Sequence, residues 1–237
     1  MSSVVSSLRN FVVGPLLDFV YPPLCFTCGA RVDEGSVRIC PACWGSMRTV
    51  MPSDPVWVEI AGKLRDGLQV DELLSCFLFE KQGPLQGIIH LLKYQGMKSF
   101  GRVLGREIGR KVLADPAYRG ADLLVPVPLH KRKKRERGYN QCEYLCAGIA
   151  DVVPIEVGRR VLERTRHTTS QTQLSLADRK ANVRGAFRSM SPPAIDGKIV
   201  ILIDDVITTG STIDACASVL RRAGARSVLA ACVALAP

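Results

Sequence analysis

Residues Val200 to Thr212 read Val-Ile-Leu-Ile-Asp-Asp-Val-Ile-Thr-Thr-Gly-Ser-Thr, and each part of that run has its own chemical use. The apolar Val200 to Ile203 follow the turn pair Asp196-Gly197 and suit a buried strand of a parallel sheet. Asp204 and Asp205 then stand where the strand leaves the core, placed to accept hydrogen bonds from a ribose diol or to hold a metal-bound sugar phosphate. Thr208, Thr209, Gly210, Ser211 and Thr212 are small, and their backbone amides can converge on an anion at a helix start. Ile213, Cys216, Ala217 and Leu220 recur at helical spacing, Arg221 and Arg222 fall in the last turn, and Gly224 fits a C-terminal cap. An acidic strand end also occurs in Walker B strands and response-regulator clusters. The chain, however, has no G-x-x-x-x-G-K-[ST] sequence, and neither alternative accounts for the Thr-Thr-Gly-Ser-Thr loop.

A second chemical pattern is made of thiols. Cys25-Phe-Thr-Cys28 and Cys40-Pro-Ala-Cys43 are two C-x-x-C knuckles, a spacing that lets two tight turns present four sulfurs tetrahedrally. The expected ligand is a structural Zn2+, with no open position for metal-centred chemistry. Reduced thiols or a redox pair are the alternative, and a single knuckle would suit them better. Cys76, Cys142, Cys146, Cys216 and Cys232 read as small core residues. His90, His130 and His167 are isolated from one another, so neither a triad nor a histidine metal cluster is expected; His130 reads as a loop anchor.

Positive charge is concentrated. His130 to Arg137 carries a net +5 and Gly158 to Arg188 a net +6, against +10 for the whole chain, so the remainder is close to neutral. The first run lies between an apparent strand ending in Val125-Pro-Val-Pro128 and a helix beginning near Tyr139, and is expected to be the loop of a strand-loop-helix unit. The second is a long polar stretch between apparent strands, and that length is expected of a loop folding over an anion.

The Asp204-Asp205 motif resembles the PRPP-binding motif of type I phosphoribosyltransferases, and Arg137-Gly138 resembles their pyrophosphate loop. The longer pattern resembles the ComF family, the competence-associated branch of these proteins, over nearly the whole chain. It is carried by the four-cysteine unit, Leu91-Leu-Lys-Tyr-Gln-Gly96, and Arg137-Gly-Tyr-Asn-Gln141. Leu162, Arg164, Arg166, Thr168, Gln171, Leu174, Arg179, Asn182-Val183 and Gly185-Ala-Phe187 fit it as well.

The resemblance implies an α/β fold with a mostly parallel sheet and a small N-terminal zinc ribbon. It implies PRPP bound by Gly138, Asp204, Asp205, Thr208, Thr209, Gly210, Ser211 and Thr212. Mg2+ would come with the PRPP. The acidic pair, Arg137, and Arg164, Arg166 and Arg179 of a lid would act on the leaving pyrophosphate. The acceptor is not specified. A DNA-processing accessory acting on single-stranded DNA or a competence helicase partner, and a PRPP sensor without turnover, stay open beside the transferase. Tyr139 and Tyr144 are the nearest aromatic residues to the basic runs that could stack on bases.

These residues must be positioned by alternating elements. Strands are expected at Leu73 to Phe79, Leu123 to Val127, near Ile155 and Val161, at Ile199 to Ile203 and at Ser227 to Leu235. Helices are expected at Pro84 to Lys93, Ser99 to Leu113 and Tyr139 to Ile149, and after Thr212. That order gives a parallel sheet with its site at the strands' carboxyl ends. The expected division is an amphipathic helix over 1–20, the ribbon over 21–51 and, after a Pro-containing linker, the main domain over 52–237. The 237 residues, 47 % of them hydrophobic, suit a globular α/β domain with an appendage. Arg9, Asn10, Gly14, Pro15 and Asp18 interrupt the N-terminal apolar stretch, so neither a signal peptide nor a membrane span is expected, and a cytoplasmic location follows.

Overall fold

The computed structural model describes residues 22–33, 38–67, 69–166 and 185–237. The expected helix over 1–20, and His167, Thr168, Gln171, Leu174, Arg179 and Asn182-Val183 of the expected lid, lie outside them. The chain forms two compact units that divide between Met47 and Arg48.

In the first unit an isolated antiparallel bridge joins Leu24 to Arg31. The Cys25 amide donates to the Ala30 carbonyl at 2.7 Å, closing the first knuckle. The second knuckle runs into a five-residue helix α1 (Pro41–Gly45) with Cys40 as its N-cap. Proline at the first helical position costs nothing, because its missing N–H would have had no partner there.

The second unit is built on a five-stranded, wholly parallel sheet: β1 (Glu72–Leu78), β2 (Leu123–Pro126), β3 (Glu156–Val157), β6 (Ile199–Ile207) and β7 (Ser227–Leu235), in the order β1-β7-β6-β2-β3. A separate antiparallel pair is made by β4 (Leu162–Arg164) and β5 (Phe187–Ser189). The helices are α2 (Pro55–Asp66), α3 (Pro84–Tyr94), α4 (Lys98–Ala114), α5 (Lys131–Arg137), α6 (Gln141–Ala150) and α7 (Ser211–Arg222). Both sheet faces are covered, so β6 and β7 are near-continuous apolar runs rather than alternating ones. Val200 and Leu202 of β6 share a cluster with Ile60 and Leu64 of α2 and Ile213 and Leu220 of α7. No helix among the described residues is long and apolar enough to cross a membrane.

Besides the unexpected short strand β5, three elements differ from the expectation. β6 continues to Ile207, so the acidic pair sits inside the strand; pairing of Val206 with Ala234 and Ile207 with Leu235 of β7 extends it past the charges. The basic run is helix α5 rather than a loop. Its six basic side chains and one glutamate are good helix formers, His130 caps its start by accepting from the Arg132 amide, and Gly138 at φ 79° ends it. The proline-containing stretch after residue 51 is in large part α2, with Pro55 at its start and Ile60, Ala61 and Leu64 turned to the core.

The α4–α6 crossing is set by glycine. A Cβ on Gly148 would lie 2.1 Å from the Arg102 carbonyl oxygen, and one on Gly105 would lie 2.2 Å from that of Leu145. Each is a backbone contact that no side-chain rotation relieves. Gly148→Ala should therefore destabilise the protein by about 1–3 kcal/mol despite alanine's better helix propensity, read as a lower urea midpoint at unchanged m-value.

Candidate functional site

The loop after β6 makes a small cradle. Gly210 takes φ 74° and forms the N-cap of α7, where a Cβ would lie 2.9 Å from the Leu64 side chain of α2. The left-handed backbone and the lack of room for a side chain both call for glycine. Thr208, Thr209, Gly210, Ser211 and Thr212, with Asp204, line a hollow of about 40 Å³ at the helix start. The Thr209 and Ser211 hydroxyls lie 3.0 Å apart, so both can turn to an anion seated there. The positive end of α7 adds to the attraction.

Beside the cradle the carboxylates are held differently. Asp205 is buried; its Oδ1 accepts from the Val206 amide at 2.7 Å and its Oδ2 lies 2.9 Å from Lys93 Nζ. Asp204 Oδ1 accepts from the Asp205 amide at 2.8 Å and from the Cys142 thiol at 3.6 Å. Burial, then the neighbouring Asp205 charge, push Asp204 up to about 7. Burial opposes the Lys93 ammonium, but Asp205 and Asp204 outweigh it and hold Lys93 above its ordinary value. Burial, reinforced by Asp204 and Asp205, keeps Cys142 protonated.

A group of cations adjoins the pair. Arg137 at the end of α5 donates to Gln141 Oε1 at 3.0 Å and stacks over the Tyr94 ring at 5.0 Å. Burial, with the positive charges of Arg137, Arg164 and Lys93, lowers Lys133. Arg164 lies over the Phe187 ring at 5.3 Å, and burial brings it below its ordinary range. Tyr139 and Asn140 anchor the turn after α5: the Tyr139 hydroxyl donates to the Leu92 carbonyl and the Asn140 amide to that of Val127. Asn140 also caps α6.

Of the residues singled out from sequence, Asp204 and Thr208 to Thr212 line one hollow; Asp205 and Asp204 act with Arg137 on the charge of Lys93, Arg164 feels Asp204, and Gly138 ends α5 next to Arg137. Arg166 is exposed beyond β4, and Arg179 lies outside the described residues. Lys93, Lys133 and Cys142 were not foreseen as site residues. Lys93 stood in the Leu-Lys-Tyr element without a role, since a lysine in the last turn of an amphipathic helix ordinarily points to water. Cys142 read as packing, and it is packed; the thiol contact to Asp204 is additional.

In the first unit the sulfurs of Cys25, Cys28, Cys40 and Cys43 all lie within 4.8 Å of one another, with Cys28 and Cys40 at 3.6 Å. A tetrahedron of thiolates about zinc has sulfur–sulfur edges of about 3.8 Å, so the cluster has the right size. Burial works against the Cys25 thiolate, yet backbone amides of Cys40, Cys28 and Thr27 bring it down to about 6. The hydrogen bond with Cys28, burial and the other cysteines push Cys43 up to about 12. Four crowded thiols cannot all ionise without a cation among them.

Residues 142–237 match the phosphoribosyl transferase domain and residues 16–56 the double zinc ribbon domain. The chain is 30 % identical over 223 residues to the DNA utilization protein YhgH of Escherichia coli (strain K12), covering 90 % of this chain and 96 % of the relative. The chain belongs to the ComF family. It is also similar to two competence proteins. Identity to competence protein F of Haemophilus influenzae is 31 % over 149 residues, 61 % of this chain and 65 % of the relative. Identity to competence protein ComFC of Bacillus subtilis is 24 % over 209 residues, 85 % of this chain and 79 % of the relative. Its parallel-sheet unit is accordingly a type I phosphoribosyltransferase-like domain, and its four-cysteine cluster is a structural zinc site. Lys93 and Arg137 of this ComF-family chain precede the matched 142–237 segment.

Asp204 gives a signed pH dependence. Its value in the fold lies above that of an unfolded aspartate, so the folded chain binds the extra proton and stability falls as pH rises from about 4 to about 7. Asp204→Asn should remove that fall. The stability gained on substitution should be larger at pH 8 than at pH 5, measured by urea unfolding at both.

Proposed function

We propose that the cleft binds PRPP and that the chain is a phosphoribosyltransferase-like protein acting in competence or DNA use. The observation that carries this reading is the juxtaposition of three subsites: an anion cradle at the α7 start, two carboxylates beside it, and a cation group next to them. A 5′-phosphate in the cradle would bring the ribose hydroxyls over Asp204 and Asp205, which accept hydrogen bonds from them. The diphosphate would then face Lys133, Arg137 and Arg164.

In the transfer reaction a nucleophile, usually a nitrogen, forms a bond to C1 as the C1–oxygen bond breaks. The bonding pair leaves with the diphosphate. Arg137, Lys133 and Arg164 would neutralise charge developing on that group, while the carboxylates hold a ring that becomes more cationic. If magnesium accompanies the ligand, it would supply further positive charge against the diphosphate and so lessen the charge that Arg137, Lys133 and Arg164 must balance. Since Asp205 is already paired with Lys93, the acidic pair does not offer two free carboxylates to a bare ion, and in this reading magnesium enters on the ligand's phosphates. Titration calorimetry of magnesium-PRPP should give micromolar-range binding to the wild type and at least tenfold weaker binding to the Asp204→Asn, Asp205→Asn double variant. A folded, zinc-loaded wild type that binds no PRPP would sink both the transferase and the sensor readings.

A second reading has its own support. The side chains of Lys131, Arg132, Lys134 and Arg135 give α5 a charged outer surface, and the relatives carry names of DNA utilization and competence. On that reading α5 contacts the phosphates of single-stranded DNA. Affinity for a single-stranded oligonucleotide should then fall steeply with added salt, and the slope should flatten by about 3 when these four residues are neutralised. A slope unchanged by the substitutions would remove α5 from any DNA surface.

A further inference from the structure

The ion pair between Lys93 and Asp205 stands in the way of the use just given to Asp205. Asp205 is 6 % exposed at its side chain, one oxygen is taken by the Val206 amide, and the other is paired with Lys93 at 2.9 Å. That second oxygen has almost no exposed surface, and the ammonium 2.9 Å away is among the atoms that cover it, so withdrawal of Lys93 is the movement that opens it to a ribose hydroxyl. Lys93 is in the last turn of α3 and its side chain is 21 % exposed, so the head can leave on a flexible four-carbon stem without unfolding anything.

Where it can go is set by its neighbours. Asp205 and Asp204 favour its charge and Arg137 opposes it, and Lys133 in turn feels Arg137, Arg164 and Lys93. Tyr94, the residue after Lys93, carries the Arg137 guanidinium on its ring, so the end of α3 touches both halves of the cleft. In the empty cleft, movement of Lys93 toward three like charges is repelled. With a diphosphate seated among those charges, the same movement is attracted.

We propose that Lys93 is a transferable charge that couples the two halves of the cleft: it holds Asp205 while the cleft is empty, and a diphosphate among Lys133, Arg137 and Arg164 draws it away and frees Asp205 for the ribose. This inference rests on the ribose-phosphate reading of the site. It makes Lys93 a positioning residue whose effect is thermodynamic linkage. A ligand needing free Asp205 binds with an apparent affinity reduced by the fraction of molecules in which Asp205 is free, and the second ligand raises that fraction. Two anions side by side would otherwise repel, so the sign of the coupling distinguishes this device from a rigid cationic cleft.

The test is calorimetric titration of ribose 5-phosphate with and without saturating inorganic pyrophosphate, in buffer free of added divalent ions. The wild type should bind ribose 5-phosphate at least fivefold more tightly when pyrophosphate is present. Lys93→Met should lose that gain or reverse it, and Lys93→Arg, which keeps the charge, should retain its sign. Asp205→Asn opens the same pair from the other side with an isosteric change and should also abolish the gain, which covers a Lys93→Met chain that fails to fold. Absent or negative coupling in the wild type overturns the proposal, as does positive coupling that survives both Lys93→Met and Asp205→Asn. No ribose 5-phosphate binding under either condition overturns the ribose-phosphate reading with it, whereas binding without positive coupling removes only the role of Lys93.

Discussion

Two adjacent carboxylates near the carboxyl end of a central buried strand are an electrostatic liability, and the Lys93–Asp205 pair is what balances it. Asp204 and Asp205 share a low-dielectric site, where two like charges at close range cannot both be ionised without compensation. Lys93 compensates one, and the other is driven toward protonation and receives the Cys142 thiol. A buried pair of this kind adds little net stability, but deleting one partner typically costs about 3–5 kcal/mol because the other is stranded. The arrangement is thus an expensive one for the fold to keep.

Other features of the second unit hold that pair in place. β6 lies between β7 and β2, which fixes the acidic residues in register. The tight α4–α6 crossing at Gly105 and Gly148 brings the start of α6, with Cys142 and the Asn140 cap, against the sheet. The Tyr139 hydroxyl ties the turn after α5 to Leu92, one residue before Lys93. Cations from α3, α5 and β4 therefore converge on the strand end although they come from three separate parts of the chain. The zinc ribbon is held by other means: with few apolar residues of its own to bury, it depends on four thiolates and their metal.

Local chemistry explains why some features were readable in the sequence and others were not. The β6 motif, its glycine and the helix after it lie within about twenty residues, so strand, turn and cap preferences act on neighbours and the reading survives. The same holds for the two cysteine knuckles, and β7 was bounded at Ser227 and Leu235 as observed. The basic run reads as a loop from its place between a strand and a helix, whereas lysine and arginine are good helix formers and His130 and Gly138 supply the two ends. α2 was hidden by Pro52 and Pro55 of its stretch, the second of which starts the helix.

The acidic strand end, the small-residue loop, the four-thiol metal site and the alternation that makes a parallel sheet were legible in the residues alone, because each rests on neighbours in the chain. The pairing of Lys93 with Asp205, the seat of Arg137 on Tyr94, the reach of Cys142 to Asp204 and the place of Lys133 in the cation group appear only in the folded chain. Those pairings join segments far apart in the chain. They depend on the strand order β1-β7-β6-β2-β3 and on how closely the helices pack, and no local preference in the chain encodes either.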